Sequence, residues 1–237
     1  MIASPCLTRG PCRDIHCGVN HALLSYLGIA LFMACGHVGA RQPEASASAP
    51  REGEIMEDAV PPEVTASAVA AVAKLGDEVV LGHYLVAVER MNPMWKERAA
   101  IRMGGMDALQ NKLKSVAAEM VKEGISMISC KPEGQPRVYQ VTPGTRYVMK
   151  DGKRVPQPVY TKWMVLVPTA TRFRIIRNGQ PSMVIESTGY QVAVSDKDKL
   201  DWTFIDGSGL TTNDLRGLFV TLPQDLKLPP LGKREVR

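Results

Sequence analysis

Tyr160–Gly179, YTKWMVLVPTATRFRIIRNG, is the stretch that decides the fold class of this chain. Its first part, Tyr160–Val167, is an apolar and β-branched run bounded by Pro168, the signature of a buried strand. Thr171–Arg177 then alternates, with Phe173 and Ile175 on one face and Arg172 and Arg174 on the other. Asn178-Gly179 is a strong short-range hairpin signal. Hairpin-linked strands make an antiparallel sheet.

Working outward keeps the period at two for some distance. On the C-terminal side, Met183–Ser195 reads as a long strand bent at Gly189. Asp196–Lys199 is a charged turn, and in Leu200–Asp206 the residues Trp202 and Phe204 share a face. Thr211 with Asp214 three residues on is a capping box, and Leu210 with Leu215 sits at the positions of a hydrophobic staple. A short helix from Thr212 to about Phe219 follows, then a proline-punctuated irregular strap from Pro223. On the N-terminal side, Arg137–Val141 and Thr145–Met149 are predicted strands before the Asp151-Gly152 turn. Ile125–Cys130 is a short one.

Before residue 125 the period becomes helical. Val64–Leu75 is alanine-rich and helix-prone until Gly76-Asp77 resets the chain. Val80, Tyr84, Ala87, Val88 and Met91 recur at helical spacing until Asn92-Pro93. A third piece follows Trp95 and breaks at Gly104-Gly105. Met106, Leu109, Leu113, Val116, Ala117 and Met120 form an apolar stripe, with Gly124 as its C-cap. Helices first and an antiparallel sheet after give an α+β fold. No internal repeat is present.

With 237 residues and 45% hydrophobic content, the chain is long enough to bury a core. The net charge of +5 is spread out rather than gathered into a basic stripe with interleaved aromatics, which argues against nucleic acid as a partner. Twelve methionines suit a soft core or a pliable groove. The five cysteines match neither paired zinc knuckles nor a disulfide framework. No cofactor or metal motif is present.

The N-terminal stretch carries an address. Ala22–Cys35, ALLSYLGIALFMAC, holds no charge and is too short for a spanning helix, which needs about 20 apolar residues. It suits the apolar region of a signal peptide, with Arg9 and Arg13 upstream. Its end, Phe32-Met33-Ala34-Cys35, resembles the lipobox of bacterial lipoproteins. The resemblance implies cleavage after Ala34, lipid on the Cys35 thiol and a cell-envelope location. Gly36 after the cysteine is similar to lipoproteins of the outer membrane that face the periplasm. The alternatives are an unlipidated secreted or anchored chain, or a core helix with a buried cysteine. Residues 36–62 have the composition of a flexible tether. The expected organisation is therefore signal peptide 1–34, lipidated cysteine and linker 35–62, and one α+β domain 63–237.

Element order and the motif DKLDWTFIDG, Asp198–Gly207, resemble the cystatin-like cone of the nuclear-transport-factor-2-like superfamily. That resemblance implies N-terminal helices packed on a curved antiparallel sheet around a pocket. It does not fix an activity, because the superfamily hosts enzymes, binders and assembly modules. His83 is the one histidine of the domain and the candidate base. By resemblance to the superfamily's enzymes it would pair with Glu89, Glu186 or Asp206; otherwise it is an inert helix residue. Arg172, Arg174 and Arg177 are candidates for an anionic partner or lipid headgroups, or simply a solvated strand face. Asp196, Asp198 and Asp201 read as a charged turn, since the calcium-loop pattern is missing. Gly207-Ser208-Gly209 reads as a connector, and Cys130 as a packed residue rather than a nucleophile. The expected role is holding an envelope protein or small ligand near the membrane, without catalysis. A small hydrolase or isomerase is the alternative.

Overall fold

A computed structural model describes residues 60–177 and 179–236. The expected signal peptide, Cys35 and the tether through residue 59 lie outside the described residues. The described chain is α+β. Helices α1 (Pro62–Val80), α2 (Leu85–Glu89), α3 (Pro93–Met103) and α4 (Met106–Lys122) come first. Strands β1 (Ile125–Pro132), β2 (Arg137–Lys150), β3 (Lys153–Ile175), β4 (Met183–Asp196) and β5 (Thr203–Asp206) follow. Helix α5 (Thr212–Leu218) and strand β6 (Gly232–Val236) close it.

The six strands form one open antiparallel sheet built on two long central strands. β3 pairs with β4 from Lys162↔Asp196 to Ile175↔Met183. On the other edge of β3, β2 occupies residues 153–166 and β1 residues 169–175. The outer edge of β4 is divided in the same way: β6 takes residues 184–188 and β5 residues 191–194.

Three sequence expectations need correction. β3 does not end at Pro168 but runs through it. The Pro168 carbonyl accepts the Glu133 N–H at 2.9 Å, so the missing proline N–H faces that same edge. There the pairing with β2 has stopped at Leu166 and that with β1 starts at Thr169, so no ladder bond is lost. Second, α1 continues through Gly76-Asp77. Gly76 is needed for contact: a Cβ there would lie 2.3 Å from the Cys130 carbonyl oxygen, where α1 crosses β1. Third, the C-terminal strap ends in strand β6.

Smaller differences follow the same logic. β2 is one strand rather than two: its register with β3 stays in step across Thr142 (φ 61°) and Pro143. The β3–β4 connection spans residues 176–182, longer than a two-residue turn, and Asn178 lies outside the described residues. Asn92 both ends one helical segment and caps the next, its side chain accepting the Trp95 N–H. Its backbone N–H also donates to Phe204 at 2.8 Å, fastening the helical layer to β5. The Thr211–Asp214 capping box is formed in full.

The sheet is covered on both faces at its centre. In front, Val64, Ala68 and Val72 of α1 cluster with Trp163, Val165, Val167, Ala193, Trp202 and Phe204. Behind, Met164, Leu166, Val192, Val194 and Ile205 cluster with Leu210, Leu215, Phe219, Leu222 and Leu226 of the C-terminal segment. This explains why WMVLV is an unbroken apolar run: each of its residues meets a layer, whichever way it points. Burying such a side chain stabilises by about 1.5–3 kcal/mol.

Candidate functional site

The front face of the sheet changes character along its length. Residues two apart on β3 share a face, and the series there reads Trp163, Val165, Val167, Thr169, Thr171, Phe173. Register places Gln191, Gly189 and Ser187 of β4 opposite Val167, Thr169 and Thr171. Asp206 of β5 pairs with Gln191, and Cys130 of β1 with Thr171. One end of this face is covered by α1, and at the other Phe173 packs with Met120 of α4. Between these two apolar ends runs a belt of hydroxyl, amide, carboxyl and thiol groups.

Over the belt lies a cleft of about 620 Å³. Val72, Leu75 and Val79 of α1, Leu113 of α4 and Met91 supply apolar wall, and Trp95 and Arg102 of α3 add to it. Such a volume, apolar with a few convergent polar groups, suits a small-molecule site. The cleft reaches the gap between β5 and β6, where among the described residues Gly189 and Tyr190 have no outer partner strand and Gly232 and Lys233 form the rim.

Asp206 is the belt's carboxyl. It accepts hydrogen bonds from the Ser208 hydroxyl and backbone N–H, and from Gln191 Nε2 at 3.3 Å. Burial outweighs these bonds and pushes its pKa up to about 6. Cys130 accepts a hydrogen bond from the Thr171 hydroxyl at 3.4 Å, and burial pushes its thiol up, so it is not a ready thiolate. Tyr190 is pushed up to about 12 by burial and remains a donor, to the Leu210 carbonyl. Burial also lowers Lys233. Among the described residues, the Thr169 and Ser187 side chains have no hydrogen-bond partner, although Thr169 is buried. They are available to a ligand.

The residues singled out from sequence are scattered. His83 is exposed just after α1, its Nδ1 2.7 Å from Glu78 Oε2, and it does not line the cleft. Its partner is thus none of Glu89, Glu186 or Asp206. Of these, Asp206 alone lines the cleft.

Glu186 has another task. It is 2% exposed and held by Arg172, Nε to Oε2 at 2.8 Å, and by Arg234, Nε to Oε1 at 2.8 Å. The three residues face one another across β3, β4 and β6 in register. The two guanidiniums hold the Glu186 carboxyl below the usual glutamate range. Arg172 is therefore engaged, while Arg174 and Arg177 are exposed. Asp196 pairs with Lys162 and Lys199, and Asp201 with Arg90 at 2.8 Å. Among the described residues, no group of three or more His, Cys, Asp or Glu is placed to hold a metal. Nor is any helix there long and apolar enough to cross a membrane.

Sequence reasoning missed Thr169, Thr171, Ser187 and Gln191. Their signal was present: a face that is apolar at 163, 165 and 167, hydroxylic at 169 and 171, and aromatic at 173. Ending the strand at Pro168 concealed it. Comparison with known proteins finds no matching family model, no matching curated sequence and no matching solved structure.

Proposed function

We propose that the protein binds a small, mainly apolar ligand in the cleft between its helical layer and the front of the sheet, and does so at the cell envelope. The cleft itself carries this reading. A sheet face beneath helices is ordinarily apolar, whereas here Thr169 and Ser187 line the open cleft with hydroxyls that have no protein partner among the described residues, where the polar atoms of a ligand can reach them. A ligand with an apolar body and a hydrogen-bonding middle satisfies both parts of the face. The arrangement of helices over a sheet with a pocket between them supports the cystatin-like cone as the finer description of the fold. The lipobox-like Phe32–Cys35 supports a lipid-anchored protein of the outer membrane facing the periplasm. A hydrolase or isomerase centred on His83 draws no support from the cleft, whose lining lacks that residue.

Two experiments test this. Displacement of an anilinonaphthalene sulfonate dye by a panel of fatty acids, sterols and aromatic amines measures the cleft. Ser187→Phe should weaken binding at least about tenfold by filling it, with the melting temperature unchanged. Equal binding by that variant contradicts the cleft. Radiolabelled palmitate should label the wild type and not Cys35→Ser; label on neither contradicts the anchor.

A further inference from the structure

The outer end of the β2–β3 hairpin stands apart from both layers. β4 accompanies β3 only from Lys162 onward, so among the described residues the ribbon has two strands and no third from Pro143↔Tyr160 out to Lys150↔Lys153. Every residue from Thr145 to Pro158 except Val148 is exposed. At about 3.3 Å per residue, this ribbon reaches about 25 Å from the covered sheet. An isolated two-stranded ribbon is marginal in water, and this one displays apolar groups as well. Tyr147 is 55% exposed and Met149 70%, and Val155 and Pro156 lie opposite Val148 and Tyr147.

Its charge is one-sided. Arg146, Lys150, Lys153 and Arg154 stand against a single carboxylate, Asp151, a net of four minus one, or +3. Among the described residues, none of these four cations forms an ion pair. Arg154 lies over the Tyr147 ring, 4.4 Å from its centroid. Register puts Arg146, Lys150, Lys153, Val148 and Val155 on one face and Met149, Arg154, Tyr147 and Pro156 on the other, so both faces carry charge and apolar surface. The charge that looked evenly spread along the sequence is gathered here by a hairpin.

We propose that this ribbon docks tip-first on an anionic phospholipid surface, so that the cations of both its faces meet the headgroups while Tyr147 and Met149 enter the interfacial layer. Tyrosine belongs at that depth, and each Lys or Arg near an anionic surface strengthens binding about fivefold. Nucleic acid is a poorer match. Single strands are held by stacking on aromatics, of which the ribbon's exposed part has one, and Met149 and Val155 gain nothing from a phosphate backbone. The proposal needs neither the cleft nor a lipid on Cys35.

The test uses the full chain carrying Cys35→Ser, so that no attached lipid contributes. Cosedimentation compares mixed phosphatidylethanolamine–phosphatidylglycerol vesicles with phosphatidylcholine vesicles, and the ratio of the two affinities is read. That ratio cancels any contribution of the apolar run at residues 22–35. We expect a preference for anionic vesicles of at least about tenfold, lost when Arg146, Lys150, Lys153 and Arg154 are all replaced by Ser. Tyr147→Ser with Met149→Ser should weaken binding several-fold on anionic vesicles. Added salt should erase the preference of the parent, an arm that depends on no substitution. A parent without the preference, a charge variant that retains it, or a parent that ignores anionic vesicles but retards duplex DNA in a gel would each overturn the proposal.

Discussion

A single strand, β3, passes through two unlike environments. Trp163, Met164, Val165, Leu166 and Val167 are all buried, while Lys153 to Pro158 are all exposed. Both stretches pair in register with β2, the first as far as Leu166. The first stretch also pairs with β4, and its faces are covered, by α1 in front and the 210–226 segment behind; among the described residues nothing covers the second. Strand pairing alone therefore does not bury a strand. The layers do, and the stability of this sheet is concentrated where they lie.

The sharpest way to break that comparison is a matched pair of truncations. Leu166→Ala removes a side chain wholly buried in the rear cluster, at an expected cost of about 2–5 kcal/mol. Tyr147→Ala, in the ribbon, should cost less than about 0.5 kcal/mol. Denaturant melts of the two variants decide it, and equal losses would mean that the ribbon is part of the core. Gly76→Ala tests the front covering. Its Cβ has no room beside the Cys130 carbonyl, and overpacking of this kind costs about 1–3 kcal/mol. A silent substitution would show that α1 does not sit on β1.

Asp206 sharpens the comparison within the covered region. Its folded pKa is raised to about 6, so the folded state holds the proton more tightly than the unfolded chain. The contribution to stability therefore falls as pH rises from the ordinary aspartate range through about 6, and the whole penalty is present above that. Asp206→Asn should raise stability above pH 6 by about 1–3 kcal/mol, with the gain shrinking toward acid. Urea melts across pH would read it, and a gain that does not vary with pH would contradict the burial of the carboxyl. Glu186 behaves oppositely. Its lowered pKa stabilises the fold above the ordinary glutamate range, and that stabilisation is lost as pH falls. The smallest effect belongs to the cap: Thr211→Ala should cost about 1 kcal/mol.

Much of this was written in the sequence. The change of period from helical to alternating near residue 125 separated helices from strands, and the Thr211–Asp214 capping box and the shared face of Trp202 and Phe204 were readable directly. What escaped were features set by distant partners. Pro168 looks like a strand end unless the break between β1 and β2 is known, and Gly76 looks like a helix break unless β1 is known to cross there. Glu186 looks like a free carboxylate until Arg172 and Arg234 arrive from neighbouring strands. The site was concealed by the same cause, since Thr169, Thr171, Ser187, Gln191 and Asp206 become one belt only through register. His83 drew notice as the lone histidine of the domain, yet being alone says nothing about position.

Native-state hydrogen exchange on the full chain tests the division of the sheet most directly. Amides of residues 163–167 should exchange only by global unfolding, while those of residues 145–158 exchange orders of magnitude faster through local opening. Equal protection of the two stretches would contradict the division of β3 into a covered core and an uncovered ribbon.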